Sequence, residues 1–225
     1  MSTPDDLAET AKQVEDLDRR IVTRQAGVRD PTGLAQAFEA GVAELGRVDI
    51  VLANAGIANQ IGNEQDVQRG WQDVIDVNLT GVFNTVQVAA PQMIEQGDGG
   101  AIVLTSSTQG LSGRGGDGGG AMSGYAAAKH GGVGLMRTFA HWLAPHRIRV
   151  NTVHPTGVNT PMVVNDQMEQ WLSLHPGAGD ALANLLPVEL IEAVDISNAI
   201  LYLVSDAGRY VSGVTLPVDA GFSAK

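Results

Sequence analysis

The sequence contains no cysteine. Disulfide frameworks, thiolate metal sites and cysteine nucleophiles are therefore excluded. Positive charge is scarce too: 14 Lys and Arg stand against 25 Asp and Glu, a formal net charge of −11. That balance argues against a nucleic-acid surface or a polybasic membrane contact. No apolar run approaches the roughly eighteen residues that a membrane span needs. The opening Met1-Ser2-Thr3-Pro4-Asp5-Asp6 has neither the basic nor the apolar region of a signal peptide, so a cytoplasmic protein is expected. His130, His141, His146, His154 and His175 do not fall into a metal-ligand pattern, so no metal is expected. The G-x-S-x-G elbow of serine hydrolases is also missing.

What is present suits an ordered globular chain. Of 225 residues, 44% are hydrophobic and 17% charged, enough for one good-sized core, and a single domain over 1–225 is expected. Thr3 (or Ser2) can cap a first helix, with Pro4 at its first position, running to about Leu17. Arg20 to Val28 reads as a strand. Pro31 to Leu45 reads as an amphipathic helix that Gly46 stops. Val48 to Ala53, Ala101 to Thr105 and Ile148 to Val153 are short, mostly apolar runs, as in strands buried on both faces. Helices are expected from Trp71 to about Ala90, from Tyr125 to about Leu143 and from Asp195 to about Ser205, with a last strand at Val214 to Val218. A glycine-rich loop spans about Gly110 to Gly124, and 159–187 reads as a lid of short helices. Glu189, Glu192 and Asp195 read as a solvated helix start. Strand and helix alternate, which predicts an α/β fold with a parallel sheet covered on both faces. Ligands of such sheets bind beyond the carboxyl ends of the strands.

One spacing stands out. Tyr125 and Lys129 are four residues apart on a helix, so their side chains share a face. A neighbouring ammonium favours phenolate and would lower a tyrosine pKa from its usual value of about 10. Alone the pair also fits a plain helix surface. Asn54-Ala55-Gly56, Ser106-Ser107 and Pro155 all fall at the carboxyl edge of the expected strands, and Tyr125 can reach that edge. Each has a plainer reading by itself: a turn, a strand end, or, for Asn78, a side chain bonded to neighbouring backbone.

In this order the motifs resemble those of the short-chain dehydrogenases/reductases from the first helix to the last strand. Asn54-Ala55-Gly56, Asp76-Val77-Asn78-Leu79, Ser106-Ser107, Tyr125-x-x-x-Lys129 and Pro155 to Thr160 carry the resemblance. More narrowly, Ser2 to Thr10, Ala127 to Gly131 and Val153-His154-Pro155-Thr156-Gly157-Val158 resemble the carveol-dehydrogenase-like, mycofactocin-associated branch. The resemblance implies a Rossmann-like doubly wound sheet and interconversion of an alcohol and a carbonyl with a nicotinamide cofactor. Tyr125 would be the general acid/base. Lys129 would lower its pKa and hold the nicotinamide ribose, and Ser107, rather than Ser106, would fix the substrate oxygen. Asn78 would kink its helix and hold a water linking Lys129 to solvent. Asn54, Ala55, Gly56, Pro155, Val158 and Thr160 would line the cofactor, with Val158 and Thr160 at the carboxamide. NAD is implied by the branch; NADP stays open.

Apolar residues in the lid (Met162, Val163, Val164, Met168, Trp171, Leu172 and Leu174) point to a greasy pocket for a small apolar secondary alcohol or ketone, or else to packing on the core or a second subunit. The resemblance also implies a homodimer or homotetramer through the helices at 71–90 and 125–143, where Gly131, Gly132 and Gly134 would allow close approach. The eighteen residues from Ser107 to Tyr125 exceed the usual spacing, but extra loop length costs little closure entropy.

The family begins with a strand, a glycine-rich turn and a helix that hold the pyrophosphate. No such glycine spacing precedes the strand at Ile21. The chain is expected to lack the first two strands and first helix, leaving the strands at Ile21 and Ile50 without the neighbours between them. Gly27 stands where an adenine-contacting Asp is usual. Weak or no NAD(H) binding by the 225-residue chain is therefore expected. The alternative is a non-catalytic homologue that acts through subunit or partner contacts.

Overall fold

The computed structural model describes residues 3–58, 66–114, 116 and 118–224. Ser2, and Gly115 and Asp117 of the glycine-rich loop, lie outside the described residues. The first helix, α1 (Pro4–Glu15), opens on a capping box: the Asp6 amide donates to Thr3 Oγ1, and the Thr3 amide donates to the Asp6 carboxylate. Helix α2 (Pro31–Leu45) is capped by the Asp30 side chain and ends at Gly46, whose φ of 91° is the left-handed conformation glycine adopts without penalty.

The sheet has four strands: β1 (Ile50–Ala53), β2 (Gly100–Thr105), β3 (Ile148–Pro155) and β4 (Thr215–Val218), all parallel and paired in that order. Between β1 and β2 lie α3 (Val67–Ile75), a π-helical turn (Asp76–Thr80) and α4 (Gly81–Gln96). Helix α5 (Gly120–Leu143) links β2 to β3. Beyond β3, short helices α6 (Asp166–Leu174) and α7 (Ala178–Leu182) precede α8 (Ala193–Val204). Glu192 caps α8 in a second capping box with Asp195, in keeping with the expected solvated helix start.

Both faces of the sheet are covered, as the alternation predicted. Side chains of a strand point alternately to the two faces. Val51, Ala53, Ile102, Leu104, Ile148 and Val150 meet α4 and α5 in one core cluster. Val103 and Val153, one step out of phase, meet Leu203 of α8 in the other. The contacts of α5 with α3 and with the π-helical turn depend on missing side chains: a Cβ on Gly120 would strike the Val67 carbonyl, and one on Gly131 would sit 2.9 Å from Leu79. Gly131 thus admits Leu79 within the chain. Gly132 and Gly134 face open space.

Two expectations change. The strand expected at Arg20 to Val28 does not form. A strand exists by its ladder, and among the described residues β1 is the edge of the sheet with no partner on that side. Segment 19–28 is held instead by Arg20 and Arg24, which donate to the Glu44 carbonyl and carboxylate, and by Asn84, which donates to the Val28 carbonyl at 2.9 Å. The separation of this segment from β1 agrees with expectation, and Ile50 and Leu52 of this edge strand lie 48% and 47% exposed. The long helix expected from Trp71 is also interrupted. It passes through the π-helical turn at Asp76–Thr80, with Asn78 buried inside it.

Candidate active site

Four pieces of chain meet at the carboxyl edge of the sheet: the ends of β1, β2 and β3 and the first turns of α5. Beyond β2 the chain turns sharply through a 3-10 turn at Thr108–Gly110. The turn is tight because a Cβ on Gly110 would collide with Ser106 Oγ and lie 2.8 Å from the Lys129 carbonyl. The Ser106 hydroxyl is buried and donates to that carbonyl at 3.0 Å, so it is engaged in packing α5 against β2. The Ser107 hydroxyl accepts from the Gln109 amide at 3.2 Å and sits beside the Tyr125 phenol, whose ionised form it favours. The geometry thus separates the two serines as expected, with Ser107 facing the tyrosine.

Lys129 is buried, and its ammonium donates to the Thr105 carbonyl at 2.8 Å. It lies 5.4 Å from the centre of the Tyr125 ring. Burial pulls the Lys129 pKa down to about 8, because an ammonium is poorly solvated there. The same cause pushes the Tyr125 phenol above its usual range, and the Ser107 hydroxyl opposes that shift. This corrects the expectation that Lys129 lowers the Tyr125 pKa. Desolvation of the phenolate dominates.

Asn78 holds the Ile57 backbone at both ends: Oδ1 accepts from the Ile57 amide and Nδ2 donates to its carbonyl, each at 2.8 Å. The interrupted helix and the backbone-bonding reading are both present in one residue. A Cβ on Gly56 would come within 3.2 Å of Asn78 Oδ1 and 3.8 Å of Lys129 Nζ, so the absent side chain leaves room beside the ammonium. Asn54 and Ala55 are exposed, and Asn54 Oδ1 accepts from Thr105 Oγ1 at 2.8 Å, tying β1 to β2. Pro155 ends β3. Val158 bridges to Ile191, and the Thr160 hydroxyl donates to the Val158 carbonyl at 3.4 Å. Asn78, Ser107, Tyr125, Lys129 and Gly56 thus sit together, while Val158 and Thr160 are linked to each other and not to that group.

Three participants escaped the sequence reading. Ile57 is the partner of Asn78, Ser106 is a structural tie, and His154, given no role at the site from the sequence, is fully buried and bonded to the Ser107 carbonyl at 2.8 Å. Its place next to the strand-ending proline was the available signal. Among the described residues no group of three or more His, Asp or Glu could hold a metal ion, and no helix is long and apolar enough to cross a membrane.

A parallel sheet wrapped on both faces, with a serine, a tyrosine and a lysine four residues on at its carboxyl edge, defines a dehydrogenase of the short-chain type. The family model described as short chain dehydrogenase matches residues 1–171, and the chain belongs to that family. It is 58% identical over 227 residues to an uncharacterised oxidoreductase of Mycobacterium tuberculosis, all of this chain covering 81% of that one. It is 46% identical to the (-)-trans-carveol dehydrogenase of Rhodococcus erythropolis, again over all of this chain and 83% of the other. The crystal structure of carveol dehydrogenase from Mycobacterium avium in complex with NAD superposes with a TM-score of 0.90 at 48% identity, over 100% of this chain and 83% of that one.

Proposed function

We propose that this protein interconverts an apolar secondary alcohol and its ketone with NAD, and that Tyr125 is the general acid/base. The observation that carries the reading is the placing of Tyr125 beside Ser107 and the buried Lys129, whose ammonium lies 5.4 Å from the centre of the Tyr125 ring. The residues fit the nicotinamide end of such a cofactor. An ammonium and hydroxyls suit ribose hydroxyls, the missing Cβ at Gly56 leaves the approach open, and Thr160 with the Val158 backbone suits a carboxamide. When bound, NAD supplies the two-electron hydride acceptor. The chain supplies alignment and the proton path. In oxidation the Tyr125 oxygen takes the alcohol proton as the carbonyl forms, and in reduction it returns one. Ser107 holds the substrate oxygen: its lone pair is engaged by the Gln109 amide, which leaves its proton to point outward. Asn78 acts through the Ile57 peptide it fixes, and any water link from Lys129 to solvent would pass beside that peptide. The relatives named for carveol support an apolar, terpenoid-like substrate and a place in the carveol-dehydrogenase-like branch.

Residues 159–187 form the lid of a single domain in this reading. Met162, Val164, Leu172 and Leu174 are exposed, so their apolar surface is available to a substrate rather than spent on the core, and Trp171 is buried. The protein would act in the cytoplasm as a homodimer or homotetramer. Phe83 and Trp142, 43% and 39% exposed on α4 and α5, flank the buried Phe139 with ring centres 6.3 and 6.1 Å from it, a surface suited to a second copy. Size-exclusion chromatography with light scattering should show the multimer, and a clean monomer would remove this part.

The reaction is tested by NADH formation with carveol and related cyclic alcohols. Tyr125→Phe should lower kcat by about 10²–10⁴-fold while calorimetry shows unchanged NAD affinity. Full activity in that variant, or none in the native chain with any secondary alcohol, would overturn the reading.

A further inference from the structure

The carboxyl end of β3 carries a polar pair to which the proposed reaction assigns nothing. Thr152 and His154 are two residues apart and so share one face of the strand. It is the face α5 covers, since Ile148 and Val150 in the same phase pack against Val133, Met136, Phe139 and Leu143. Both polar side chains are fully buried. A buried imidazole has two nitrogens to satisfy. His154 Nδ1 lies 2.8 Å from the Ser107 carbonyl oxygen, and Nε2 lies 2.8 Å from Thr152 Oγ1. A carbonyl only accepts, so Nδ1 carries the proton. Nε2 of the neutral ring is then an acceptor, and the Thr152 hydroxyl donates to it in preference to the Val214 carbonyl at 3.3 Å. Burial favours the neutral ring.

The reason a side chain is needed lies in the ladder. Its last rung between β2 and β3 is the Ser106 amide donating to the Val153 carbonyl at 2.9 Å. Amides of a central strand face its two neighbours alternately. The Thr152 amide faces β4, donating to the Val214 carbonyl, so the next amide of β3 facing β2 after Val153 belongs to Pro155. Proline has no N–H. From that point the backbone of β3 cannot donate to the chain that leaves β2. The imidazole reaches across instead and takes the Ser107 carbonyl, which also accepts from the Gly110 amide at 2.8 Å.

We infer that His154 is a positioning residue: as the Nδ1–H tautomer, set by Thr152, it anchors the Ser107 peptide so that the Ser107 hydroxyl faces Tyr125. The inference rests on the roles proposed above for Ser107 and Tyr125.

His154→Asn and His154→Gln test it. The Asn amide nitrogen can take the place of Nδ1, whereas the Gln amide reaches the place of Nε2 and leaves the Ser107 carbonyl without this donor. The Tyr125 ionisation, read as tyrosinate absorbance less that of the matching Tyr125→Phe chain, should move to higher pH in His154→Gln and stay in place in His154→Asn. With alcohol and NAD, kcat should fall on the order of 10- to 100-fold in the Gln variant at nearly constant KM, and the Asn variant should recover most of it. Nitrogen-15 NMR of the native chain should place the His154 proton on Nδ1. A proton on Nε2, or Asn and Gln variants that behave alike, would overturn the inference. A native chain that turns over no alcohol would defeat the proposed reaction instead, while the tautomer and the Tyr125 titration still decide the role of His154.

Discussion

Lys129 and Thr105 are joined by an ammonium-to-carbonyl hydrogen bond of 2.8 Å. The Lys129 carbonyl in turn accepts from the Ser106 hydroxyl at 3.0 Å, so α5 is fastened to the end of β2 from both directions. This double tie places the Tyr125 side of α5 against Ser107. It also takes the ammonium out of water, which is why its pKa falls to about 8.

The titration of Lys129 can be followed directly. The sequence holds only three lysines, Lys12, Lys129 and Lys225, so carbon-13 labelling of lysine gives few signals to assign. One should titrate near pH 8, and assignment by Lys129→Met should identify it; a set that all titrates near the ordinary 10.5 would contradict the burial argument. The sign for stability follows. With its native pKa depressed, this group binds fewer protons folded than unfolded between about 8 and 10.5, so its contribution to stability rises with pH across that window and is least favourable below it. Lys129→Met should therefore compare best with the native chain in thermal melts below pH 8 and lose that advantage toward pH 10.5.

Removing the Ser107 hydroxyl removes the one influence that lowers the Tyr125 pKa. In Ser107→Ala the tyrosinate midpoint should move further up. Alcohol oxidation needs the phenolate, so its rate should climb with alkaline pH in the native chain, and the climb should begin at higher pH in the variant. Coincident profiles would show that the hydroxyl contact has no electrostatic effect on the tyrosine.

The Asn78 amide serves two backbone groups of one residue. Asn78→Leu strands both, at about 1–3 kcal/mol for each buried group left unpaired. A loss of about 2–4 kcal/mol is expected in urea unfolding. Asn78→Asp keeps the acceptor for the Ile57 amide and should lose less. Equal stability of Asn78→Leu and the native chain would mean that water replaces the amide without cost.

Gly110→Ala forces a methyl against Ser106 Oγ and the Lys129 carbonyl. Overpacking of this kind costs about 1–3 kcal/mol, and here it displaces the tie between β2 and α5. Turnover should fall more steeply than the melting temperature, read from kcat and calorimetry on the same preparation.

Local signals written into neighbouring residues were readable in the chain itself. The apolar runs ending at Asn54, Ser106 and Pro155 marked three parallel strands, Asp30 and Gly46 bounded α2, and the i, i+4 spacing put Tyr125 and Lys129 on one face. Gly110 and Gly120 could be counted but not interpreted, because what a missing Cβ admits is known only when the facing backbone is known.

The sequence by itself determined the alternation of strand and helix, the order of the motifs and the residue types at the carboxyl edge, since these depend on period and composition over a few residues. Tertiary structure decided the rest. Arg20 to Val28 has the composition of a strand but finds no ladder, because pairing is a property of two segments and not of one. Ser106 and Ser107 are equivalent in the chain and become different only when Lys129 meets one and Tyr125 the other. The direction of the Tyr125 shift reversed for the same reason: spacing reveals a nearby charge, whereas the larger effect, loss of solvent, depends on everything packed around the phenol.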